Sequence, residues 1–138
     1  MAENRRGACI TGLMLAALML GGCGLTGPAH GPRSPQAATA VTMGFESYSP
    51  AQVTIRSGDT VEWQNTSLIT HTVTGDPKLA AKAGDPSLPS GALAFNSGDI
   101  PPGQVYFHTF MVPGTYRYFC THHETDGMLG TVVVRPPP

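Results

Sequence analysis

The chain has 138 residues, room for one compact domain. Charged residues make up only 12% and the net charge is −1, which excludes the basic surface that nucleic-acid binding requires. With 17 Gly and 13 Pro the chain favours short strands between turns over long helices, and three widely spaced cysteines (Cys9, Cys23, Cys120) argue against a disulfide scaffold.

The N-terminal segment reads as a leader. Arg5 and Arg6 precede an apolar run over residues 8–20. A bilayer span needs about 20 apolar residues, so this run is too short to cross. A positive start followed by a short apolar core is the pattern of an export signal. The run ends in Leu20-Gly21-Gly22-Cys23, which resembles the lipobox of bacterial lipoproteins and implies cleavage before Cys23 and lipidation of its thiol. An A-x-A site at Ala38-Thr39-Ala40 is the rival, far from the apolar run, and the arginine pair leaves twin-arginine export open beside the general route. Residues 23–40 are rich in Gly, Pro, Ala and Ser and read as a flexible tether carrying a solvated His30. The expected organisation is a signal peptide over 1–22, a tether over 23–40 and a folded domain over 41–138.

Beyond residue 40 the hydrophobic period is two. Strands are expected at 41–45, 51–55, 60–65, 71–74, 104–110, 114–119 and 130–134, separated by turns such as Ser49-Pro50, Pro101-Pro102-Gly103 and Pro113-Gly114. Seven short strands at close spacing argue for an all-β sandwich or barrel. By alternation Tyr116, Tyr118 and Cys120 point inward, while Arg117 and Phe119 point out. His108 is expected on a strand face. Residues 75–99 break the rhythm as one long loop with room for a short helix around 78–83.

Cys120 is the domain's single cysteine, and the chain around it reads Cys120-Thr121-His122-His123-Glu124-Thr125-Asp126-Gly127-Met128. One thiol, imidazoles and a thioether on a short loop are the donor types of a blue-copper site, whereas structural zinc favours more thiolates. His71 stands upstream at the start of an expected strand. The C-x-x-H-x-x-x-x-M spacing of Cys120, His123 and Met128, with His71-Thr72-Val73-Thr74 and the opening strands, resembles the cupredoxin family in its plastocyanin and pseudoazurin branch.

The resemblance implies an all-β, Greek-key sandwich of seven or eight strands, cupredoxin-like, holding one type 1 copper ion through His71, Cys120, His123 and Met128. The register favours His123 over the adjacent His122, which is left at the surface. It implies one-electron Cu(II)/Cu(I) transfer, not catalysis, with redox partners such as cytochromes or membrane oxidoreductases. Leu68, Ile69, Gly127 and Leu129 are the expected apolar docking patch around His123. Net charge after residue 22 is −2, with six basic against eight acidic residues, so electrostatic steering is expected to be modest. The protein is expected outside the cytoplasm, periplasmic or at the cell surface, as a lipid-anchored monomer. The alternative is a copper-binding or delivery protein without a carrier role. Against it, only Met43, Met111 and Met128 lie beyond the leader, too few for a Met-rich delivery site. Two departures stand out: Thr72 where many plastocyanin-like proteins carry Asn after the first histidine, and Phe119 where plastocyanins often have Tyr before the cysteine.

Overall fold

The computed structural model describes residues 39–138; the expected signal peptide, most of the tether and Cys23 lie outside them. Seven strands are present among the described residues: β1 (Thr39–Met43), β2 (Tyr48–Ser49), β3 (Gln52–Arg56), β4 (Thr60–Asn65), β5 (Val105–Thr109), β6 (Gly114–Phe119) and β7 (Leu129–Arg135). They form two sheets, ordered β2-β1-β4-β5 and β3-β7-β6. Pairs β1–β4 and β3–β7 are parallel, and β4–β5, β6–β7 and β1–β2 are antiparallel. This is the expected all-β sandwich.

The period-two pattern decides which side chains meet between the sheets. Val41 and Met43, Val53 and Ile55, Val61 and Trp63, Tyr116 and Tyr118, and Val132 and Val134 are all buried, while their neighbours in sequence, Phe119 apart, are more exposed. Trp63 sits at the centre. Its Nε1 donates to Tyr118 Oη at 3.0 Å, and its ring packs edge-on against Tyr118 with centroids 5.4 Å apart. That pairing lets two large amphipathic rings be buried with the indole N–H satisfied. The Tyr116 hydroxyl donates to the Val112 carbonyl at 2.7 Å, a tyrosine-corner bond that pins the β5–β6 turn. No buried side-chain nitrogen or oxygen lacks a partner among the described residues. Among the described residues the strands, one hydrophobic core and the ligand-type side chains discussed below belong to a single compact unit, which has what a domain needs to fold by itself.

Three expectations are corrected. The strand expected at 71–74 is not a ladder: His71 bridges Ile100, and Thr74 bridges both Asn96 and Phe119. The expected helical turn at 78–83 is a single 3-10 turn, Pro77–Leu79, capped by the Asp76 side chain, which accepts from Lys78 N at 2.9 Å. Phe119, expected to point out, is not exposed: it is fully buried, yet takes no part in the core cluster that holds Tyr116, Tyr118 and Cys120. The cause is the long excursion, whose Thr74 and Ser87 pair with Phe119 and Arg117 along the free edge of β6 and close over the end of the strand. Alternation tells which face a side chain takes, not whether another segment covers that face.

Candidate metal centre

Three segments converge at one end of the sandwich: the loop after β4, the start of the excursion, and the loop from β6 to β7. The ligand atoms of His71, Cys120 and His123 all lie within 4.8 Å of one another. Cys120 Sγ is 3.8 Å from His71 Nδ1 and 3.4 Å from His123 Nδ1. His71 and Cys120 are fully buried and His123 is half-buried.

Each position has a local cause. Asn65, at the end of β4, is buried and donates from Nδ2 to the carbonyls of Ile69 (2.7 Å) and Ile100 (2.8 Å). Its Oδ1 accepts from Ser67 N and Ser67 Oγ at 3.0 and 2.8 Å. This one amide therefore folds the 66–70 loop onto the chain that carries His71. Ser67 Oγ in turn meets His71 Nε2 at 2.9 Å, which occupies that nitrogen and leaves Nδ1 toward Cys120. Burial, and then the facing His123, hold the His71 imidazole below its ordinary pKa, so the ring is neutral, as a metal ligand must be.

The β6–β7 loop is a chain of tight turns. His123 N donates to Cys120 O, Met128 N to His123 O, and Cys120 N to Met128 O, each at 3.1 Å. Gly127 supplies a positive φ of 87°, which turns the chain back so that Met128 is fully buried next in sequence. Thr72 joins the two halves: its N–H points at Cys120 Sγ (3.3 Å) and its Oγ1 accepts from Thr121 N (2.8 Å). The threonine that departs from the family pattern thus still links the histidine segment to the cysteine loop.

Of the other residues singled out in sequence, His122 turns away and pairs with Asp99 at 2.8 Å. Leu68 is 93% exposed, Gly127 exposed, and Ile69 and Leu129 partly exposed at the same end. His108 is remote from the cluster and stacks on Phe95, ring centroids 4.5 Å apart. Two residues escaped sequence reasoning. Asn65 is one. Glu124 is the other: its buried carboxylate accepts from Ala81 N (2.7 Å) and Lys82 N (3.0 Å), tying the excursion to the ligand loop. A carboxylate contact to backbone more than forty residues away leaves no signature in spacing.

The donor chemistry fits copper: one thiol, two imidazole nitrogens on a single focus, and a buried thioether residue bonded through its backbone to both Cys120 and His123. A family model for copper-binding proteins of the plastocyanin/azurin family matches residues 36–135. The chain belongs to that family. The plastocyanin of Prochlorothrix hollandica is 36% identical over 102 residues, 71% of this chain and 73% of the relative. A plastocyanin of Synechococcus sp. (strain JA-2-3B'a(2-13)) is 32% identical, covering 88% and 90% of the two chains. Among solved structures, a Cu(I) form of an amicyanin mutant superposes with a TM-score of 0.56 at 31% identity, over 71% of this chain and 82% of amicyanin. A reduced amicyanin mutant gives 0.57 at 28%, over 75% and 87%. This cupredoxin is accordingly a type 1 copper electron-transfer protein with copper as its cofactor, and a role confined to copper delivery is not favoured.

Proposed function

We propose that His71, Cys120, His123 and Met128 hold the copper through which this cupredoxin passes single electrons between redox proteins outside the cytoplasm. The observation that carries the assignment is the focus of two Nδ1 atoms and one Sγ within 4.8 Å. When bound, copper supplies the Cu(II)/Cu(I) couple. The chain's residues do the rest. Cys120 binds as thiolate, and the Thr72 N–H aimed at its sulfur stabilises that charge. Ser67 and Asn65 fix the His71 ring, and the short turns from Cys120 to Met128 fix His123. A framework held this tightly has little to reorganise when the charge changes. Buried donors also argue against a site that hands its metal on. This is a carrier's site, with no nucleophile–base pair assigned to it.

Half-buried His123 is the outlet, and Leu68, Ile69, Gly127 and Leu129 form the surface a partner would cover. Such small apolar contacts suit brief encounters with cytochromes or membrane oxidoreductases. Lipidation at Cys23 would tether a monomeric domain to a bacterial membrane. Cleavage at the rival Ala38-Thr39-Ala40 site would remove Thr39 and Ala40, which pair with Val61 and Glu62 at the start of β1. That pairing supports the earlier cleavage.

Adding Cu(II) to residues 24–138 tests the assignment. An intense blue or green colour is expected from the wild-type chain, and Cys120→Ser should lose it. A colourless wild type, or colour retained in Cys120→Ser, refutes the ligand set.

A further inference from the structure

At the pole of the sandwich opposite the metal centre, Arg56 closes β3 and Arg135 closes β7, side by side in the parallel register. Arg135 lies six steps along β7 from Leu129 beside the ligand loop, about 20 Å along the strand. The two arginines line a cavity of about 270 Å³ with Thr39, Thr54, Ile55 and Asp59. Both are exposed. The ion pair found among the described residues is His122–Asp99, so neither guanidinium has a carboxylate within 4.0 Å there. Asp59 is the one acid in the lining, and its Oδ2 is engaged by Arg56 N at 2.8 Å. Two guanidinium forks with no ion-pair partner among the described residues, beside threonine hydroxyls, present the donors that a phosphate takes.

The position of this cleft indicates which phosphate. Thr39, in its wall, is where the chain leads back to Cys23. Sixteen residues can reach at most about 58 Å at full stretch and would span about 20–25 Å if they behaved as a Gly-rich coil. A lipid at Cys23 therefore keeps this pole close to headgroups, at an effective concentration where weak contacts count. The charge distribution agrees. Glu46, Asp99 and Asp126 are exposed on loops at the metal end, while the arginine pair sits at the other end. Lys78 and Lys82 ride on the excursion tied to Glu124 and are not part of the cleft.

We propose that the Arg56–Arg135 cleft binds the phosphate headgroups of anionic phospholipids and so orients the tethered domain with His123 facing away from the membrane. The proposal rests on the reading of Cys23 as a lipid anchor. Its test does not. Copper-loaded residues 24–138, whose colour reports folding, are sedimented with vesicles of phosphatidylcholine alone or with half phosphatidylglycerol, at low salt. Binding is expected on the anionic vesicles only. Arg56→Gln with Arg135→Gln should weaken it about 25-fold, at roughly fivefold per arginine near an anionic surface. Lys78→Gln with Lys82→Gln should change it less than about twofold. Equal binding to both vesicles, an arginine variant that binds like wild type, or lysine variants that lose as much as the arginine pair would each overturn the cleft. The anchor is read separately, by flotation of the full chain with neutral vesicles in high salt and its loss in Cys23→Ser.

Discussion

Glu124→Ala removes the contact through which the excursion is fastened to the ligand loop. The wild-type carboxylate is 3% exposed and accepts from two backbone N–H groups at 2.7 and 3.0 Å. Hydrogen bonds to a charged acceptor contribute about 1.5–3 kcal/mol each, so an upper bound is about 3–6 kcal/mol. Ala81 and Lys82 are themselves exposed, and water replaces the lost acceptor for both. That discounts the cost to about 2 kcal/mol, roughly a 10 °C fall in Tm for a domain of this size. Thermal melts of copper-loaded wild type and variant measure it, with amide exchange at Ala81 and Lys82 as the local readout. Glu124→Gln retains one acceptor oxygen and should cost about half as much. A fall below about 3 °C in Glu124→Ala, with both amides still protected, would refute the idea that this carboxylate holds the excursion in place.

Gly130→Ala should destabilise the fold by about 2–4 kcal/mol. A Cβ there would lie 2.6 Å from Tyr118 Cε2, with the hydroxyl closer still, which forces the ring away from Trp63 Nε1. A urea midpoint unchanged from wild type would contradict it. His108 should make the copper-loaded protein less stable in mild acid. Burial holds its imidazole below the ordinary value of 6.5, so the unfolded chain binds the extra proton first. Its contribution is present above about pH 6.5 and is lost as pH falls below that value. His108→Phe, packed among Phe95, Phe110 and Tyr106, should flatten the urea midpoint between pH 7 and 5, and a retained slope would exonerate this residue.

The residues differ in how far their surroundings could be read in advance. Val53 and Ile55, or Val132 and Val134, announce their face because a strand's geometry alternates whatever lies around it. Cys120, His123 and Met128 share one short loop, so their convergence is nearly a local property, and it was legible in spacing. His71 required the pairing of two sheets, and only the family resemblance linked it to the loop. Ser49-Pro50 carries a turn signal and two residues cannot show a period, yet Tyr48 and Ser49 pair with Met43 and Thr42 as β2. Phe119, Asn65 and Glu124 depend on the path of the excursion and of the 66–70 loop, set by tertiary contacts that no local pattern encodes.

The strand that leaves the ligand loop, β7, lies in the middle of its sheet, between β3 and β6. Its partner β3 comes from roughly eighty residues earlier in the chain. The sheet therefore cannot close until the last strand has arrived, and the turns that set Cys120, His123 and Met128 are anchored by that same strand. Copper acquisition is thereby placed late in the life of the molecule. A partly folded chain offers scattered donors and no socket, so metal loading waits until β7 has paired.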